Sequence, residues 1–170
     1  MSDIRYIVVM GVSGCGKSTV AARLAGRLGW DFTEGDALHP DANVEKMRHG
    51  IPLTDADRAP WLRDIARRIK TWRAAGKPGI IACSALRRRY RETIADGAGD
   101  LRFVYLRGGF SLIQQRLATR RGHYMPASLL ESQFSTLEEP APDEPAITVD
   151  TGAPVSELVN EALAALHLPG

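Results

Sequence analysis

The sequence predicts a three-layer α/β fold on a parallel sheet, and three observations carry that expectation. Apolar runs of strand length alternate with helical patterns along the 170 residues. The run at 78–83 is continuously apolar, as a parallel strand covered on both faces must be. The first run passes directly into a glycine-rich turn and a helix, the β-loop-α start of a sheet with right-handed crossovers.

Residues 5–10 form the first strand. Gly11-Val12-Ser13-Gly14-Cys15-Gly16-Lys17-Ser18 follows and fits the phosphate-cradling pattern at every specified position. Gly11, Gly14 and Gly16 permit positive φ, so successive backbone N–H groups through Ser13, Cys15 and Lys17 can face phosphate oxygens at the positive end of the next helix. Lys17 is placed to reach the β and γ phosphates, the Ser18 hydroxyl to ligate Mg²⁺, and Thr19 to add a donor. A nucleoside triphosphate with Mg²⁺ is the expected ligand, although such a loop serves kinases and hydrolytic switches alike.

Val20, Leu24 and Leu28 recur at helical spacing over 17–29, and Gly29 is a C-cap. A short strand at 30–33 delivers Glu34-Gly35-Asp36 at its C-terminal edge, where open α/β sheets place ligand chemistry. Residues 36–62 concentrate turn formers and chargeable groups and read as a binding segment. Within them Pro40 opens a short helix through Gly50. Thr54 or Asp55 caps a longer one whose apolar face carries Trp61, Leu62, Ile65, Ile69 and Trp72, ending at Gly76. Pro78–Cys83 is the third strand, and Ser84-Ala85-Leu86 turns into a helix bearing Arg87, Arg88, Arg89 and Arg91. Strand 101–106, helix 110–121, strand 146–149 and helix 154–167 complete the alternation. Between them, a segment with Gly122, Pro126, Pro140, Pro142 and Pro145 reads as a mobile lid, about 122–139, and then a tether.

Composition narrows the function classes. A net charge of +2 with both signs dispersed gives no general nucleic-acid or membrane signature. No apolar run approaches the roughly 20 residues needed to span a bilayer. Two cysteines are too few for a disulfide framework, so a cytoplasmic home is expected for a single domain over 1–170.

The motifs together resemble the gluconokinases, small relatives of shikimate and nucleoside monophosphate kinases. The likeness runs nearly end to end. It rests on the loop Met10–Ser18, on Gly35-Asp36-Ala37-Leu38-His39-Pro40 with Asn43, Glu45-Lys46-Met47 and Gly50, and on Pro52-Leu53, Asp55, Asp57-Arg58 and Pro60-Trp61-Leu62. It continues through Cys83-Ser84-Ala85-Leu86, Tyr90-Arg91, Arg116, Arg120, His123, Gln133-Phe134 and Leu137-Glu138-Glu139-Pro140. Tyr124 stands where the family often has Phe, and Arg87 where Lys is common. The resemblance implies a P-loop kinase fold with a five-stranded sheet in the order 2-3-1-4-5 and a helical lid. It also implies transfer of the ATP γ-phosphoryl group to the C6 hydroxyl of D-gluconate.

Phosphoryl transfer asks for an in-line acceptor, neutralised charge and exclusion of water. Asp36, facing the phosphate loop, either accepts or orients the acceptor's hydroxyl proton or caps the helix before Pro40. A carboxylate-bearing polyol calls for a guanidinium and small polar groups; Arg58, Arg91, His39 and Lys46 are the candidates. Arg58 could instead pair with Asp55 or Asp57, and Trp61 could wall the pocket or belong to the core. In the related kinases one arginine packs on adenine and another reaches the phosphates; Arg116 and Arg120 hold the corresponding positions, the exposed face of a helix being the plainer reading. His123 reads as a lid anchor, not a metal ligand. The rival functions are a kinase for another small polyol acid or nucleoside monophosphate, a nucleic-acid-binding ATPase using Arg87–Arg91, and a nucleotide switch. The expected partner is the small acceptor, without nucleic acid or membrane, with a homodimer as an option.

Overall fold

The computed structural model describes residues 4–119 and 127–169. Five strands, β1 (Tyr6–Met10), β2 (Asp31–Glu34), β3 (Gly79–Ala82), β4 (Leu101–Arg107) and β5 (Ala146–Asp150), form an all-parallel sheet in the order 2-3-1-4-5. The helices are α1 (Lys17–Leu28), α2 (Asp41–Arg48), α3 (Asp55–Ala74), α4 (Arg88–Ala95), α5 (Phe110–Thr119), α6 (Ala127–Thr136) and α7 (Val155–Leu166), with a 3₁₀ turn at Gly35–Leu38.

Strand geometry sends successive side chains to opposite faces, and the two cores divide on that alternation. Ile7, Val9, Ile80, Ala82, Val104 and Leu106 join Val20, Leu24, Leu158 and Leu163 under α1 and α7. Tyr6, Val8, Met10, Ile81, Phe103 and Tyr105 join Trp61, Ile65, Ile69 and Trp72 under α3, with Tyr90 and Ile94 of α4. The whole apolar face expected for α3 is buried. Trp72 packs so closely on β3 that a Cβ at Gly79 would come within 2.3 Å of its ring.

Helix ends follow local chemistry. Gly29 takes the left-handed conformation, φ 70°, and returns its N–H to the Ala25 carbonyl. Thr54 caps α3 through a reciprocal box: its hydroxyl accepts from the Asp57 N–H, while Asp57 accepts from the Thr54 N–H. Among the described residues no helix is long and apolar enough to cross a membrane.

Three local outcomes add detail to the sequence pattern, the second being a helix within the expected helical lid. Asp36 does not cap the helix at Pro40; it lies inside the 3₁₀ turn, whose N-cap is Glu34. Residues 127–136 are a helix whose Leu129 and Leu130 are buried and whose Phe134 packs on Phe110. The tether after it is stapled: Glu138 donates its N–H to the Leu86 carbonyl, and Arg88 grips Asp143.

Candidate active site

The C-terminal ends of β1 and β2 open onto a cleft of about 270 Å³. Its walls include Ser13, Gly14, Gly16, Lys17 and Ser18 from the loop, Asp36, His39, Arg58 and Trp61 from the acceptor segment, and Ser132 and Gln133 from α6. The expected binding segment thus faces the expected phosphate loop across one space.

The loop is built by backbone. Gly11, Gly14 and Gly16 all have positive φ. At Gly11, φ is 145° and a Cβ would sit 2.7 Å from the Cys15 sulfur, so only glycine fits. Lys17 is buried and its Nζ donates to the Val12 carbonyl, folding the ammonium over the loop. Cys15 lies behind the loop, fully buried; its N–H goes to Val12, and burial raises its thiol pKa. Thr19, in the first turn of α1, is exposed and outside the cleft wall.

Two contacts brace this loop, and the sequence pattern gave no sign of either. Gln133 of α6 accepts the Ser13 N–H at 2.7 Å and donates to the Ser13 hydroxyl at 3.0 Å. The Thr151 hydroxyl donates to the Cys15 carbonyl and accepts from Arg116 at 3.1 Å. Arg116 therefore sits at the end of β5 behind the loop, and a second of its nitrogens donates to the Thr151 carbonyl.

At the edge of β2 the Ser18 hydroxyl donates to the Glu34 carboxylate. Two hard oxygen donors side by side at the phosphate end fit Mg²⁺, which prefers such ligands. Glu34 was readable only as the neighbour of Asp36; its link to Ser18 spans the sheet. Among the described residues no group of three or more His, Cys, Asp or Glu forms a metal cluster.

The acceptor wall is built by side chains. Trp61 is both core and wall: its Nε1–H donates to the Gly35 carbonyl at 2.8 Å, and its ring stacks on His39 at 4.0 Å. Burial lowers the His39 pKa to about 4, against the pull of Asp36 and with the push of Arg58. Arg58 donates to the Leu53 carbonyl at 2.9 Å and the Tyr90 hydroxyl at 3.2 Å. Neither Asp55 nor Asp57 is its hydrogen-bonding partner: Asp55 takes Tyr90 and Arg89, and Asp57 takes Lys46.

Comparison with known proteins decides the family. A model described as an AAA domain matches residues 7–140. A gluconokinase from Gluconobacter oxydans is 54% identical over 145 residues, covering 85% of this chain and 82% of that one. The thermoresistant gluconokinase of Escherichia coli is 42% identical, covering 92% and 90%. The chain belongs to the gluconokinase family. The crystal structure of a gluconokinase from Sinorhizobium meliloti superposes with a TM-score of 0.89 at 46% identity, covering 98% of this chain and 94% of that one.

Two residues of this gluconokinase-family chain that were expected at the acceptor lie elsewhere. Arg91 points away from the cleft: only 2% of its side chain is exposed, and it pairs with Glu144 while donating to the Ala85 and Glu138 carbonyls. The reason is its place on the buried face of α4, where it fastens the tether. Lys46 is not a cleft-wall residue; its ammonium bonds Asp57 at 2.8 Å, and with the Thr54 N–H it holds that carboxyl at a pKa of about 2. Arg120, Gly122, His123, Tyr124 and Pro126 lie outside the described residues, as does the first part of the expected lid.

Proposed function

We propose that this chain phosphorylates D-gluconate at its C6 hydroxyl with ATP and Mg²⁺, releasing 6-phosphogluconate and ADP. The observation that carries the reading is the single cleft in which a complete phosphate loop faces Asp36, His39 and Arg58 in a chain of this family.

ATP phosphates lie along the N–H groups of the loop, where the α1 dipole favours negative charge. The Lys17 ammonium swings from Val12 to the β and γ oxygens and neutralises charge that the backbone does not reach. Ser18 and Glu34 are the residues that would hold Mg²⁺, which would neutralise charge on the phosphates there. Asp36 takes or orients the proton of the C6 hydroxyl as it lines up behind the γ phosphorus. Arg58 grips the carboxylate end of gluconate, its planar fork already set by Leu53 and Tyr90. Arg116 borders the nucleotide from the β5 side. Helix α6 excludes water from the loop side of the cleft.

Three of the basic residues on or beside α4 are already paired, Arg88 with Asp143, Arg89 with Asp55 and Arg91 with Glu144, which supports an enzyme without nucleic acid as partner. Two free, buried cysteines support a cytoplasmic setting. The decisive experiment is ADP release with D-gluconate set against shikimate, glucose and nucleoside monophosphates, with and without a chelator. Turnover selective for gluconate and dependent on Mg²⁺ is expected; equal turnover of another acceptor overturns the assignment.

A further inference from the structure

Asn43 of α2 is buried, with 3% of its surface exposed, and its Nδ2 has two neighbours: the Asp57 carbonyl oxygen at 2.8 Å and the His39 Nδ1 at 3.2 Å. A backbone carbonyl can only accept, so the amide must turn its NH₂ toward Asp57. The second hydrogen of the same nitrogen then points at His39 Nδ1, which must present a lone pair. A neutral imidazole with a bare Nδ1 carries its proton on Nε2. The ring cannot easily turn over, because it lies on Trp61 at an interplanar angle of 15°, and Trp61 is itself pinned to Gly35.

We infer that Asn43 locks His39 as the Nε2–H tautomer, which makes the His39 edge of the cleft a donor-only subsite for a hydroxyl or carboxylate oxygen of the acceptor. Among the described residues nothing pairs with Nε2, so its proton is left for a ligand. The inference rests on reading this side of the cleft as the acceptor site. The charges facing the ring are Asp36 and Arg58, with the Lys46–Asp57 pair behind Asn43. Burial outweighs Asp36, and the ring stays neutral at neutral pH. A neutral ring with its proton on Nε2 cannot take a second proton from a hydroxyl at that atom. His39 and Arg58 therefore only donate to the acceptor, and Asp36 is the cleft-wall carboxylate left to accept. Such a wall selects a substrate that offers oxygen lone pairs on two sides and one hydroxyl proton on the third. Asn43 does this as a positioning residue.

The test begins with long-range ¹⁵N–¹H correlation spectra of the unliganded full chain, His39 being assigned by its loss in His39→Gln. The expected wild-type pattern is a protonated Nε2 and a bare Nδ1; a protonated Nδ1 would overturn the inference. In Asn43→Asp the new carboxylate can only accept, so it draws a proton onto Nδ1. The spectrum should change accordingly, with gluconate KM rising about tenfold and ATP KM holding within about twofold. An unchanged tautomer together with unchanged gluconate KM would also overturn it. Should Asn43→Asp fail to fold, the pair His39→Gln and His39→Asn decides: Gln places an amide N–H near Nε2 and should keep more gluconate kcat/KM than Asn, which reproduces the Nδ1 position. Equal loss in both counts against a donor at Nε2. A wild-type chain with the expected tautomer but no gluconate turnover would sink the acceptor reading and leave the tautomer standing.

Discussion

The two walls of the cleft are held by different chemistry. The phosphate loop gets its shape from main chain: positive φ at Gly11, Gly14 and Gly16, with Gln133 and Thr151 bracing it from outside. The acceptor wall gets its shape from side chains that orient one another, Gly35 holding Trp61, Trp61 holding His39, and Tyr90 and Leu53 holding Arg58. Main-chain recognition suits phosphate, which is the same in every nucleotide. Side-chain recognition suits the acceptor, because specificity needs donors and acceptors at particular places. A change in the first wall should therefore abolish chemistry with any acceptor, and a change in the second should act on gluconate alone.

The largest effect belongs to the loop. Lys17→Ala removes an ammonium that only one side chain supplies, and kcat should fall about a hundred- to a thousandfold or more while the melting curve barely moves. Near-normal turnover in a folded variant would break the first half of the comparison.

Next comes a residue that belongs to neither wall. Arg91 and Glu144 form a buried pair, 2% and 6% exposed, so Arg91→Ala strands a carboxylate and should cost about 3 to 5 kcal/mol of stability. Gluconate KM of the surviving folded enzyme should hold. A raised gluconate KM at wild-type stability would return Arg91 to the acceptor site.

Arg91 also shows where sequence stops speaking. Arg58 and Arg91 carry the same guanidinium in equally suggestive surroundings, and what separates them is tertiary: Glu144 lies 53 residues from Arg91, and Tyr90 lies 32 from Arg58. The strands, the face of α3 and the loop were legible because they obey local periods and local φ requirements. The place of Asp36 beside the phosphate loop was legible, yet not its seat in a 3₁₀ turn, which depends on Glu34 folding back to the Asp36 N–H. Gln133 could not be connected to Ser13 at all, being 120 residues away.

Arg58→Lys sharpens the second half. Lysine keeps the charge and loses the fork that Leu53 and Tyr90 aim, so a charge-assisted bond worth about 1.5 to 3 kcal/mol weakens. Gluconate kcat/KM should drop roughly ten- to a hundredfold with ATP KM nearly constant. Equal losses for both substrates would mean that Arg58 supports the cleft as a whole.

The smallest effect is on stability against pH and tests whether the acceptor wall is dry enough to hold His39 neutral. The folded pKa of about 4 lies below the ordinary 6.5, so between those values the unfolded chain binds the extra proton and the folded chain resists it. Stability from this group is therefore complete above about pH 6.5 and is lost as pH falls toward about 4. Asp57 titrates beneath that window, its carboxyl being lowered from 3.8 to about 2 by Lys46 and Thr54, so it does not confuse the result. His39→Gln has no ring to protonate, and its melting temperature should fall less than the wild type's across the window. The difference should be a few degrees, at about 2 to 4 °C per kcal/mol for a chain of this size. Parallel slopes would mean that water reaches the ring freely. The stack on Trp61 would then be orienting His39 without desolvating it, and the contrast between a main-chain wall and a desolvated side-chain wall would narrow to geometry alone.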